Sequence, residues 1–131
     1  MDLSTDHVRL LAELGLIAVG EGRLEEAAAI TDAVAAYRPN EVAVYVARAL
    51  IELRRGKPED AVRLLESDAL ANHPGNPMLQ TFLGMALMAA GYGARARGIL
   101  ETMALQQTDM KAAALAQSLK ALDQGGKEAR P

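Results

Sequence analysis

The sequence predicts an all-α protein built from three helical hairpins and a C-terminal capping helix. Alanine and leucine dominate the apolar residues, and aromatic residues make up only 3% of the chain, which favours helix over strand. Apolar residues recur at helical spacing, and no stretch alternates with the two-residue period of a half-buried strand. Glycine and proline pairs divide the chain at nearly regular intervals, as turns between helices would.

The turn residues belong to a pattern that occurs three times. A small residue, a glycine seven positions later and an alanine five positions beyond that recur at intervals of 34 and then 35 residues. The three sets are Gly15, Gly22 and Ala27; Ala49, Gly56 and Ala61; and Gly84, Gly91 and Ala96. We expect each glycine to end the first helix of a hairpin, and the small residues to let the paired helices cross closely.

The first hairpin is predicted over residues 8–41. Residues 4–6 can each accept a hydrogen bond from a helix amide, so the first helix begins there and runs to Val19. The second helix runs from about residue 23 to residue 37. It ends before Pro39, because the residue preceding a proline is biased away from helical backbone angles.

The second hairpin is predicted over residues 42–76. Asn40 is placed to cap its first helix, which spans about residues 41–55. Pro58 fits the first turn of the next helix, where a missing amide proton costs nothing. Residues 72–75, Asn-His-Pro-Gly, end that helix.

The third hairpin covers residues 77–108 and begins with the same cap and proline arrangement at Asn76 and Pro77. A capping helix is predicted over residues 109–123, with 125–131 as a flexible tail, so that a single domain covers residues 1–124. The capping helix carries apolar residues at helical spacing, expected to be buried: Ala112, Leu115, Leu119 and Leu122.

Composition excludes several classes of function. The net charge is −3 and there is no cysteine, which argues against nucleic-acid binding and excludes disulfides and thiolate metal sites. No leader precedes an apolar run, and the longest apolar stretch is far below the roughly 20 residues that span a bilayer. We therefore expect a cytoplasmic protein without membrane insertion. His7 and His73 lack companion ligands or a nucleophile, so we expect no enzyme, metal or cofactor.

Residues 8 to about 108 resemble three tetratricopeptide (TPR) repeats. The matching residues are Leu11, Leu14, Gly15, Ala27 and Pro39; Tyr45, Ala49, Ala61, Leu65 and Pro74; and Leu83, Gly84, Ala96 and Leu100. The resemblance implies a right-handed α-solenoid whose concave face is lined by the first helix of each hairpin. Arg48 and Glu52 depart from the pattern, and we expect them to form a solvated ion pair across one helical turn, or helix three to be rotated.

Mapped onto this sequence, the resemblance gives nine groove residues, of which eight are apolar. They are Ala12, Leu16 and Val19; Val46, Leu50 and Leu53; and Thr81, Met85 and Met88. Each trio has spacing of four and then three, so it forms a line along one helix. These residues would either be buried core or form an apolar trough for a partner helix, and the joint pattern favours the trough.

Residues 22–27, Gly-Arg-Leu-Glu-Glu-Ala, together with Arg38-Pro39 and Arg54-Arg55-Gly56, resemble the small TPR chaperones of bacterial type III secretion, most closely those of the needle subunit. The resemblance implies that the groove holds an amphipathic apolar helix of a secreted subunit and prevents premature assembly, with a small co-chaperone as a possible second partner. The alternative is a generic TPR adaptor or a self-associating scaffold, such as a homodimer, with no role in secretion.

Overall fold

The computed structural model describes the backbone of residues 4–129 and the side chains of residues 4–120. Within this part the chain consists of helices joined by short turns and contains no strand, so the all-α prediction is confirmed. The helices are α1 (Thr5–Gly20), α2 (Leu24–Tyr37), α3 (Val42–Arg54), α4 (Pro58–Arg63), α5 (Leu70–Asn72), α6 (Pro77–Ala89) and α7 (Gly93–Ala129). A π-helical segment, Leu64–Ala69, joins α4 to α5.

The chain forms two compact units, Met1–Leu100 and Glu101–Pro131, whereas the sequence predicted one domain over residues 1–124. The first unit holds the packed helices. In it α1 contacts α2 and α3, α2 contacts α3, and both α3 and α4 contact α6. Leu65, Leu79 and Leu87 are the largest fully buried side chains of its main core, which joins α3, α4, the π-helical segment, α6 and the start of α7.

Three turns share one geometry, at the glycines that the sequence identified. Gly22, Gly56 and Gly91 have φ angles of 80°, 76° and 92°, in the left-handed region that glycine adopts without strain. In each turn the residue after the glycine donates its N–H to a carbonyl five positions earlier; for Arg23 and Ala18 the distance is 2.8 Å. This arrangement satisfies the last carbonyls of one helix and fixes where the next helix begins.

The predicted close crossings are also present. The three alanines of the repeated pattern, Ala27, Ala61 and Ala96, are completely buried. Opposite them, a Cβ built on Gly15 would lie 3.3 Å from Thr31 Oγ1, and one on Gly84 would lie 2.6 Å from Leu100 Cδ2. A Cβ at either position would therefore require the neighbouring side chain to move, by more at Gly84 than at Gly15.

Helix caps were predicted well where the capping residue acts locally. The Ser4 side chain accepts a hydrogen bond from the His7 amide, and Asn76 accepts one from the Leu79 amide at 3.1 Å. Pro58 lies in the first turn of α4 as expected. Asn40 differs, because Glu41 precedes α3 without a capping side chain and Asn40 Oδ1 accepts a hydrogen bond from Tyr45 instead.

The C-terminal part of the chain is one helix. The sequence predicted a break near Thr108 and a separate helix over 109–123, but α7 continues to Ala129. No glycine or proline interrupts residues 99–124, and Thr108 donates its hydroxyl to the carbonyl of Ala104, one helical turn earlier. Leucine side chains expected to be buried by the capping arrangement are open to solvent: Leu115 is 60% exposed and Leu119 58% exposed. The side chain of Leu122 and residues 130 and 131 of the predicted tail lie outside the described part, while residues 125–129 belong to α7.

Gly84→Ala tests the closest crossing. The added methyl group would lie 2.6 Å from Leu100 Cδ2 and 2.7 Å from its Cγ, and overpacking of this kind costs about 1–3 kcal/mol. The higher helix propensity of alanine offsets about 1 kcal/mol of this cost. We therefore expect a lower free energy of unfolding than in the parent, measured by urea titration. Gly98→Ala is the matched control, since a Cβ there meets nothing within 4 Å and should stabilise α7. If Gly84→Ala is as stable as the parent, the crossing is looser than the structure indicates.

Tyr45→Phe tests a hydrogen-bond network in which a buried tyrosine joins the loop before α3 to the end of α5. The Tyr45 side chain is buried, its hydroxyl donates to Asn40 Oδ1 at 3.1 Å, and it accepts from Asn72 Nδ2 at 2.9 Å. Loss of both hydrogen bonds should lower the free energy of unfolding by about 1–2 kcal/mol. Tyr92→Phe, at a side chain that is 58% exposed, should change it by less than about 0.5 kcal/mol. Equal effects of the two substitutions in thermal unfolding would contradict this role for Tyr45.

Candidate protein-binding site

The nine predicted groove residues lie on α1, α3 and α6, and these helices are neighbours because α3 contacts both others. Their burial differs strongly. Three are core residues beneath the neighbouring helices: Ala12, Val19 and Val46. Four are half-buried: Leu16, Leu50, Leu53 and Thr81. Met85 and Met88 are 45% and 49% exposed, so the accessible part of the predicted groove is concentrated on α6, and the three core residues offer no surface to a partner.

One face of α6 carries three exposed methionines. Met78, Thr81, Met85 and Met88 follow one another at spacings of three, four and three, which places them in a line on the same side of a helix. We call these four residues the methionine face. The one polar group among their side chains is satisfied, because the Thr81 hydroxyl donates to the Pro77 carbonyl at 2.9 Å.

The rest of α6 makes this exposure unusual. Its opposite face is core, where Leu79, Leu83 and Leu87 are buried. No charged residue occurs from Pro74 to Ala94, so α6 lacks the charged side that a surface helix normally has. A helix that is apolar all round is typically buried on all sides, and here one side is open.

Half-buried leucines of α3 border the same core. Leu50 and Leu53 pack against the cluster that contains Leu79 and Leu83 of α6, and Leu16 of α1 packs against it as well. These side chains therefore supply apolar surface that is partly accessible and belongs to the same packed unit as the methionine face.

A concave feature elsewhere on the first unit is lined mainly by polar and charged residues. A cavity of about 750 Å³ is lined by residues of α2, α3, α4 and the π-helical segment. Arg48 pairs there with Asp32 at 3.3 Å, across from α3 to α2, and Glu52 pairs with Arg55 at 3.1 Å. The predicted Arg48 to Glu52 pair is therefore not formed, because each side chain has another partner.

The two histidines have structural partners. His7 Nδ1 is 3.0 Å from the Ser4 hydroxyl at the start of α1. His73 Nε2 is hydrogen-bonded to the Asn40 carbonyl, and its ring packs edge-on against Tyr45. Among residues with described side chains, no three His, Cys, Asp or Glu side chains are close enough together to hold a metal ion. None of the described helices is both long and apolar enough to cross a bilayer.

The sequence matches a known protein family. The family described as bacterial type III secretion protein (HrpB1_HrpK) matches residues 1–125. The chain belongs to this family. The predicted link with bacterial type III secretion is thereby confirmed. Comparisons with curated proteins and with solved structures give no match.

Met78 is the residue of this type III secretion protein that sequence reasoning missed at the candidate site. Its side chain is 55% exposed and lies one turn before Thr81. The signal was present, since extending the three-and-four spacing backwards from Thr81 reaches Met78 directly. With it, the methionine face covers the whole length of α6 from its first turn. Unbranched, polarizable methionine side chains can adapt to the shape of a partner, so this face is suited to an apolar helix.

Proposed function

We propose that this type III secretion protein is a helix-binding chaperone, which holds an amphipathic apolar helix of a secreted subunit against the methionine face and so prevents its premature assembly. The observation that carries the proposal is the charge-free α6 with three methionines about half exposed. Full burial of one methionine contributes about 1.5–3 kcal/mol, so a covering helix would gain several kcal/mol from this line of side chains.

The chemistry of the site favours a helix as the ligand. A line at spacings of three, four and three offers alternating ridges and gaps that match the apolar side of another helix. The hydrogen-bonding groups needed to recognise an extended peptide backbone are scarce on this face, because the Thr81 hydroxyl is already used within α6. Subunits that assemble through such a helix would be kept apart while it is covered.

A TPR-like arrangement is part of the same proposal. The contacts support it, because α3 lies against α1, α2, α4 and α6, which is how successive hairpins stack in a solenoid. The identical turns at Gly22, Gly56 and Gly91 support it as well. A chaperone would meet its subunit before export, so the cytoplasmic location remains a prediction of this proposal.

The experiment is affinity capture from a bacterium that assembles the type III apparatus. Tagged parent protein and the double variant Met85→Glu, Met88→Glu are compared, and the bound chains are quantified by mass spectrometry. We expect the parent to retain a small helical secreted subunit, and the variant to retain at least about tenfold less, since buried carboxylates oppose an apolar contact.

The matched control is Met110→Glu, the same substitution at a methionine that is 70% exposed on α7. It should leave capture unchanged, and circular dichroism should show unaltered helix content in all variants. Capture of the same subunit at equal levels by the double variant would exclude the methionine face as its binding site.

A further inference from the structure

A second apolar surface, separate from the methionine face, lies on α1. Leu10, Leu14 and Ile17 are 54%, 44% and 56% exposed, and they follow one another at spacings of four and three. Leu14 matches the TPR pattern, but α1 packs through its other side, where Val8, Ala12 and Gly15 are buried. We call the three exposed residues the α1 stripe. None of the residues described in the first unit, 4–100, covers it.

A matching surface lies on α7. Leu105, Leu115 and Leu119 are 65%, 60% and 58% exposed, and with Thr108 and Ala112 they form a line at spacings of three, four, three and four. We call these five residues the α7 stripe. This average spacing of 3.5 residues is the repeat of helices that pack against another helix. Thr108 does not interrupt it, since its hydroxyl is bonded to the Ala104 carbonyl at 2.9 Å.

The charges beside the stripes are opposite in sign. Glu13 directly precedes Leu14 of the α1 stripe, and Lys111 directly precedes Ala112 of the α7 stripe. Both therefore flank their stripes on the same side, and antiparallel packing of the two helices brings these flanks together. Parallel packing would instead set Glu13 against Asp109, which follows Thr108 on the other flank. The wider charge distribution agrees, with eight acids and three bases in residues 1–41 but four acids and six bases in residues 77–131.

Like pairings lack this complementarity. Two copies of α1 packed antiparallel through their stripes would bring Glu13 of one copy towards Glu13 of the other. Two copies of α7 would bring the two Lys111 side chains together in the same way. Like charges across such a seam oppose association, so the favoured partner of each stripe is the other stripe.

We propose that the α1 stripe of one copy binds the α7 stripe of a second copy in antiparallel orientation, with Glu13 beside Lys111 of the second copy. The protein would then associate with itself through a contact between two different surfaces. This association does not use the methionine face, so it is independent of the proposed chaperone function and leaves that face available.

The test uses two variants that each remove one side of the contact, Leu14→Glu and Leu115→Glu. Both positions are exposed in the single chain, so circular dichroism should show that each variant keeps its helices. By size-exclusion chromatography with light scattering, the parent should associate with increasing concentration above the 13.9 kDa of one chain. Each variant should associate at least about tenfold more weakly, because burial of one leucine is worth about that factor.

Mixing the variants distinguishes this contact from all others. Leu115→Glu keeps an intact α1 stripe and Leu14→Glu keeps an intact α7 stripe, so the mixture should form a one-to-one complex although neither variant associates alone. Glu13→Lys and Lys111→Glu should each weaken association several-fold, and combining them in one chain should restore it. Met110→Glu, on α7 but outside the stripe, and the double variant of the methionine face should associate like the parent.

Three results would overturn the proposal. A parent protein that remains monomeric at all accessible concentrations excludes it. Association of Leu115→Glu alone as strong as that of the parent would indicate pairing of α1 with α1, and association of Leu14→Glu alone at that strength would indicate pairing of α7 with α7. Failure of the two variants to combine, with both folded, would show that the stripes do not recognise each other.

Discussion

The close crossing of paired helices is the constraint on which the rest of the first unit depends. Gly15, Ala49 and Gly84 are all buried in first helices, and the alanines of the partner helices are completely inaccessible. Because the helix backbones approach so closely there, large side chains have to lie at the sides of each crossing. Leu65, Leu79 and Leu87 fill the shared core in that way.

The sequence was informative where structure depends on neighbouring residues in the chain. Gly22, Gly56 and Gly91 were identified because a tight turn needs a backbone conformation that other residues resist. Asn76 was identified, and Ser4 was included among the candidates in residues 4–6, because a cap acts within three residues. Asn40 was misassigned because its partner is the buried hydroxyl of Tyr45, a contact decided by tertiary packing. The continuous α7 was missed because polar Thr108 and Asp109 resemble a helix start, yet nothing in residues 99–124 stops the helix already under way.

For the candidate site, residue spacing indicated which residues share one side of a helix, but not which of them are accessible to solvent. Periodicity correctly grouped residues that share one side of a helix, but it does not say which sides the neighbouring helices cover. Ala12 and Val46 belong to α1 and α3, which are packed against other helices, and so they became core. Met85 and Met88 were selected by the same spacing on α6, and there they are exposed to solvent. Membership of the HrpB1_HrpK family gives a context of type III secretion.

The π-helical segment accounts for an irregularity in the repeat length. The first and second occurrences of the repeated sequence pattern are 34 residues apart, and the second and third are 35 residues apart. The additional residue falls between Ala61 and Pro74, a stretch that contains Leu64–Ala69. There the Leu70 amide bonds to the Leu65 carbonyl, five positions earlier, so one turn accommodates one residue more than an α-helical turn. The extra residue is thus accommodated within a helix, and the cap at Asn76 and the close crossing at Gly84 are still formed. A chain one residue shorter in this segment would have a uniform interval of 34 residues, so the π-helical segment is the place where the longer interval is accommodated without loss of the turn glycine or the buried alanine that follow it.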